Sequence, residues 1–282
     1  MEIEREFILG DREFNFLSKL MTAHTGIVLS EKKRELVSGR LAKRLRHLKL
    51  STYKEYCELL ESEDGHTELE NMVNAITTNI TNFFREPHHF THLKDNLLIP
   101  LMQNRRSGDR TRVRIWSAGC SSGEEPYSIA MTVLDTLKSL SGWDFLILAT
   151  DIDTNVLNTG QKGEYDLHKA GTLPDNVLKK HATPFMKGER EFMRMNDELR
   201  NMIRFKKLNL TDQHWPMKGP FDVIFCRNVT IYFNKEMQKR LFTRYADLLK
   251  PGGFFYLGHA ESIIGMSDRF DVSAKTVYRL KA

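Results

Sequence analysis

A chain of 282 residues, 40% hydrophobic and 28% charged, is long enough for one large domain with a small appendage and has the make-up of an ordinary globular protein. No apolar run reaches the roughly 18 residues a membrane helix needs, and MEIEREF is too charged for a signal peptide, so no membrane insertion and a cytoplasmic location are expected. Cys57, Cys120 and Cys226 lack CxxC spacing and support neither a disulfide framework nor a zinc knuckle, while the formal charge of +5 is unevenly spread.

The first 75 residues are patterned as helices, with Phe14, Leu17, Leu20 and Met21 on one and Tyr53, Tyr56, Leu59 and Leu60 on a later one. Between them, Lys32 to Lys49 carries eight Lys or Arg against Glu35 alone. Leu41, Leu45 and Leu48 fall at i, i+4, i+7, and Arg40, Arg44 and His47 repeat that spacing on a neighbouring face. This predicts an amphipathic helix whose cationic side is either a solvated face or a surface for an acidic partner. Arg40, Lys43, Arg44 and Arg46 are its candidate partner contacts. His88 and His92 stand at i, i+4, but no third metal ligand accompanies them.

After Arg112 short apolar runs alternate with helical stretches: Val113 to Trp116, Phe145 to Ala149, Ile203 to Phe205, Phe221 to Phe225 and Phe254 to Leu257. The alternation predicts an α/β fold with a mostly parallel sheet and a ligand at the carboxyl ends of its strands. The division is therefore a helical domain over 1–75, a linker over 76–95 that contributes to the site, and a second domain over 96–282. In VRIWSAGCSSGEEP, Val113 to Pro126, the first strand enters a turn around Gly119 and Gly123, and Pro126 opens a helix. Small residues there are expected to let backbone N–H groups close on a ligand beside a helix N-terminus. The turn matches neither dinucleotide nor P-loop signatures, which favours a cofactor without phosphates.

Past the second strand comes Asp151, placed to accept from both hydroxyls of a ribose; Asp153 is equally suited to capping the next helix. Past the third comes Asn209, whose amide is expected to read an adenine edge, and past the fourth Arg227, Asn228 and then Tyr232. Cys226 reads as a small buried residue at a strand end rather than a nucleophile. A Pro251-Gly252-Gly253 turn before an apolar strand, followed by a terminal hairpin in FDVSAKTVYRL, completes a pattern typical of Rossmann-like S-adenosylmethionine-dependent methyltransferases.

TTNITNFFRE (Thr77 to Glu86), SAGCSSGEEPYSIA (Ser117 to Ala130), ATDIDTNVL (Ala149 to Leu157) and FDVIFCRNVTIYF (Phe221 to Phe233), in this order, closely resemble the chemotaxis receptor methyltransferases of CheR type over nearly the whole chain. The resemblance implies a small all-helical N-terminal domain, a Rossmann-like methyltransferase domain and a small antiparallel β subdomain at about 181–205. It implies methylation of glutamate side chains on the cytoplasmic helices of chemoreceptors, giving γ-glutamyl methyl esters, by a monomer that needs no nucleic acid. It places Asn79, Thr81 and Arg85 on the linker side of the cofactor, Glu125 on the methionine ammonium, Gly119 in the turn, Asp151 on the ribose, and Asn209 with Leu210 on the adenine. Asn228 and Tyr232 complete the pocket, with Arg85 and Tyr232 nearest the transferred methyl. Thr230 stands where many members have a larger apolar residue.

Two alternatives remain open: a nucleic-acid methyltransferase, for which CRNVTIYF lacks the Asn-Pro-Pro-Tyr-like element of base N-methylation enzymes, and a cofactor-binding signalling adaptor without turnover. Some members add a receptor's C-terminal aromatic peptide as a strand to the β subdomain, through a longer, glycine-containing hairpin loop. Here only Lys187-Gly188-Glu189-Arg190 joins the apolar runs, so independence from such a peptide is expected.

Overall fold

The computed structural model describes residues 6–105, 110–167 and 173–282; the charged start, residues 1–5, lies outside them. The chain forms two compact units, one holding residues up to Thr78 with Asn209–Gln213 and Tyr232–Met237, the other holding Asn79–Leu208, His214–Ile231 and Gln238–Ala282. The first break falls three residues beyond the expected boundary. Two short segments after strands of the second unit group with the first, which the linear pattern does not reveal.

The helical unit contains α1 (Asp11–Thr25), α2 (Arg34–Leu48), α3 (Tyr53–Glu61) and α4 (Gly65–Ile76). Helix α1 stops at Gly26, which takes the left-handed conformation (φ 70°) and donates to the Thr22 carbonyl. Helix α3 starts at Thr52, whose hydroxyl accepts from Glu55 N–H while the Glu55 carboxylate reaches back to Ser51 N–H. Leu17, Met21, Val37, Leu41, Leu45, Tyr56 and Met72 form its dry interior.

The second unit continues with α5 (His88–Leu93), α6 (Ile99–Asn104), β1 (Thr111–Ala118), α7 (Glu124–Leu137), β2 (Trp143–Asp151), α8 (Thr154–Lys162) and β3 (Glu164–Asp166). There follow α9 (Asp175–His181), β4 (Ala182–Lys187), β5 (Arg190–Met195), α10 (Asp197–Met202), β6 (Ile203–Lys207) and β7 (Phe221–Cys226). The chain ends with α11 (Lys235–Leu248), β8 (Leu249–Leu257), β9 (Phe270–Ala274) and β10 (Val277–Leu280). Among the described residues, seven strands form one sheet in the order β6-β2-β1-β7-β8-β10-β9. The first five are parallel, and β10 inserts antiparallel between β8 and β9. The strands alternate with α7, α8 and α11, as the apolar runs predict.

The small sheet has the order β3-β5-β4 and therefore begins at Glu164 and ends at Met195, not at 181–205. Strand β3 is three residues with a single apolar one, too short to show a period of two. Ile203–Lys207 belongs to the large sheet, where Ile203 pairs with Ile147. Gly188 and Glu189 alone turn β4 into β5, with Gly188 at φ 62°.

Register positions the site. Strands β1 and β2 pair from Thr111↔Trp143 to Ala118↔Thr150, so their carboxyl ends finish level, and Gly119 and Cys120 both donate to the Thr150 carbonyl. Beneath this rim lie Val113, Ile115, Ile129, Val133, Ile147, Phe225 and Tyr256, with the Phe225 and Tyr256 rings stacked at 4.2 Å. Among the described residues no helix is long and apolar enough to cross a membrane.

Candidate active site

Asp151 ends β2 almost buried, and its two oxygens accept from Ser121 N–H (2.8 Å) and Asp153 N–H (3.1 Å). A carboxylate has about four acceptor positions, so capacity remains for two hydroxyls. Burial raises its pKa, and the amide hydrogen bonds oppose that rise. Asp153 caps α8 by accepting from Asn155 and Val156 N–H, as its alternative reading holds. Its second oxygen accepts from the Asn79 side chain at 2.6 Å, and the Asn79 carbonyl accepts from Ser121 Oγ. The linker is thus fastened to the ends of both strands.

The glycine turn behaves differently from expectation. The amides of Gly119, Cys120, Ser121 and Gly123 are all consumed within the chain. Gly119 and Gly123 are needed for φ of 83° and 97°; side chains there would overlap Val229 and crowd Gly160 and Tyr165. Gly119 and Gly123 thus serve the packing of the turn, and those four amides bind within the chain.

Glu125, in the first turn of α7, accepts from Ser117 Oγ at 2.7 Å and pairs with Arg227 at 3.2 Å. Burial raises its pKa, and the Arg227 charge and the Ser117 hydrogen bond work against that. Arg227, at the end of β7 and 2% exposed, also pairs with Glu86 at 3.3 Å and donates to the Arg85 carbonyl. One guanidinium therefore joins β7, α7 and the linker, a role the sequence analysis does not assign; its only local signal is a cation directly after an apolar strand. Arg85 is half-buried and donates to the Ile80 carbonyl at 3.0 Å, leaving most of its guanidinium donors uncommitted to that loop. Thr81 is half-buried on the same segment. Asn228 sits at φ 60° with its amide against Gly258.

Asn79, Arg85, Gly119, Glu125, Asp151 and Asn228 lie at or beside the carboxyl ends of β1, β2 and β7, where Ser121 joins Asn79 to Asp151 and Arg227 joins Glu125 to the Arg85 carbonyl. Asn209, Leu210 and Tyr232 lie in the segments grouped with the helical unit. The Asn209 amide donates to the His24 carbonyl at 2.5 Å and accepts from Thr211 N–H and Oγ1, so it is committed to the chain rather than presented for reading a base. The Tyr232 carbonyl accepts from Val28 N–H, and the Lys33 ammonium lies 4.7 Å from its ring centroid.

The cationic face of α2 is also altered. Arg40 turns inward to the carbonyls of Ile76 and Thr77 at the end of α4, at 2.6 and 2.5 Å. Arg44 makes a two-pronged ion pair with Glu68, which is 5% exposed and also accepts from Tyr56 Oη. Arg46 pairs with Glu6 in the open, and Lys43 is exposed. His92 meets Tyr256 Oη and Ser273 Oγ instead of pairing with His88.

Two carboxylates with spare acceptor capacity, Glu125 largely buried in the first turn of α7 beside Arg227 and Asp151 buried at the end of β2, fit the ammonium and the ribose of S-adenosylmethionine. Residues 79–279 match the family model described as "CheR methyltransferase, SAM binding domain", and residues 12–77 that described as "CheR methyltransferase, all-alpha domain". A Rhizobium etli protein named "Probable chemotaxis protein methyltransferase" is 45% identical over 92% of this chain and 96% of its own length. The chemotaxis protein methyltransferase of Escherichia coli K12 is 40% identical over 99% of this chain and 94% of its own. The chain belongs to the CheR methyltransferase family and is an S-adenosylmethionine-dependent methyltransferase of chemotaxis.

Proposed function

We propose that the chain methylates glutamate side chains on the cytoplasmic helices of chemoreceptors, as a monomer in the cytoplasm. The observation that carries this is a site of largely buried carboxylates and orienting cations in which, among the described residues, no side chain is set up as a general base. A glutamate substrate has a pKa of about 4.3 and is already ionised at neutral pH, so none is needed. A base nitrogen or an amide would call for more.

When bound, S-adenosylmethionine supplies a methyl on a sulfonium, and its transfer breaks a C–S bond, forms a C–O ester bond and moves no proton. The chain's own work is holding, orienting and drying. Asp151 accepts from the ribose hydroxyls, and Glu125, fixed by Ser117 and Arg227, meets the ammonium. Arg85 presents charge-assisted donors to the incoming carboxylate. A clamp too strong would stabilise the anion before transfer, so Arg85 serves as an orienting contact. On α2 the cations that remain outward, Lys43 and Arg46, face the acidic receptor. The two-residue turn at Gly188-Glu189 supports recognition without a tail peptide. Replacing Arg85 by Ala tests the assignment: turnover on a receptor fragment should fall at least tenfold, with S-adenosylhomocysteine affinity changed less than threefold. An effect confined to cofactor affinity would remove Arg85 from the substrate side.

A further inference from the structure

Glu261 is 6% exposed and lies beyond β8, more than thirty residues from the site it serves. Its Oε2 accepts from Asn228 N–H and Gly258 N–H, both at 2.7 Å. Its Oε1 accepts from Val229 N–H (3.0 Å), Thr230 N–H (2.7 Å), Thr230 Oγ1 (2.8 Å) and Ile231 N–H (3.3 Å). Four consecutive amides of the turn after β7 thus converge on one carboxylate, in the manner of a backbone anion nest whose anion is a side chain of the protein. Such convergence bends the turn sharply, and Asn228 takes the left-handed conformation, φ 60°, that only a few per cent of non-glycine residues adopt. The same carboxylate ties this turn to Gly258, where a side chain would overlap the Asn228 amide. Among the described residues, no side chain hydrogen-bonds the side-chain amide of Asn228, which is half-buried against Gly258 and keeps its donors and acceptor for a ligand.

We infer that Glu261 is a positioning residue for methyl transfer: its carboxylate winds the turn after β7 so that the Asn228 amide is fixed for the cofactor. The inference rests on Asn228 being a cofactor contact. Glutamine in place of Glu261 keeps the shape but directs an NH2 at amide donors, and so cannot gather all of them.

The experiment is a double-mutant cycle on S-adenosylhomocysteine affinity, measured by calorimetry on the full chain with E261Q, N228G and both together. Glycine removes the Asn228 side chain while tolerating φ above zero. Each single variant is expected to bind about tenfold more weakly, and the double variant no more weakly than N228G. An unchanged E261Q, or a double variant whose loss is the product of the two, would overturn the inference and leave Glu261 a general stabiliser. An unchanged N228G would instead overturn the placing of Asn228 against the cofactor, and the inference with it. Should E261Q fail to fold, E261D and G258A replace it. E261D keeps the charge and should retain more affinity than G258A, which drives a methyl into the Asn228 amide; G258A binding like the unaltered chain would refute the positioning.

Discussion

Asp151 and Glu125, the proposed ribose and ammonium contacts, show how burial and charge are reconciled in single side chains. Each is placed where desolvation favours the neutral acid, and each is rescued by donors fixed in the backbone or by Arg227. Asp151→Ala should weaken S-adenosylhomocysteine binding by about 1–3 kcal/mol, since two hydroxyls lose their acceptor; unchanged calorimetric affinity would exclude the contact. The raised pKa of both acids also sets the sign of the pH dependence. In the cofactor-free chain burial shifts both toward the protonated form, so the stability they contribute is complete below the ordinary value of about 4 and is lost as pH rises through the raised one. Cofactor binding needs the charged forms and runs the other way: affinity should climb across that same window, with a proton released on binding. Glu125→Gln should bind more weakly and flatten the climb. Calorimetry in two buffers of different ionisation enthalpy would detect the proton, and an affinity that falls with rising pH would contradict the assignment.

Helix α2 is where reading a face and seeing it part company. Its periodicity gives the helix and its buried Val37, Leu41 and Leu45, but it cannot show that Glu68 and the end of α4 lie opposite Arg44 and Arg40. Those partners are more than twenty residues away, and helical spacing carries no information about them. Removing Arg44 leaves the buried Glu68 unpaired and should destabilise the domain by about 2–4 kcal/mol, since a partner withdrawn from a largely buried pair strands the other charge. Lys43 and Arg46 stand in water, where ion pairs contribute at most about 1 kcal/mol. Lys43→Ala with Arg46→Ala should therefore leave the melting temperature within a few degrees while weakening receptor methylation and its salt dependence. Arg44→Ala should lower the melting temperature clearly. The reverse pattern would return Arg44 to the docking surface.

Over the whole molecule, the elements with strong periodicity were legible: the apolar runs at 113–116, 145–149 and 221–225 are the cores of β1, β2 and β7. The place of Asp151 at the end of β2 is legible because the run before it is apolar and the acid ends it. Illegible features are those made by distant chain meeting distant chain. Nothing near Glu261 announces that it gathers the turn after β7, nothing near Arg227 that it joins Glu86 to Glu125, and three residues of β3 are too few to signal a strand. The spacing of the glycine turn is legible, but that the amides of Gly119, Cys120, Ser121 and Gly123 bind within the chain is not. The proposed site brings together acceptors for a cation and a ribose and donors for a carboxylate, with no base assigned. The direct test is to incubate the chain with methyl-labelled S-adenosylmethionine and a receptor cytoplasmic fragment, then treat the isolated fragment with mild alkali. The expected result is label on the receptor that alkali releases as methanol, as an ester requires; label that survives alkali, on an amide or a nitrogen, would rule out a glutamyl ester.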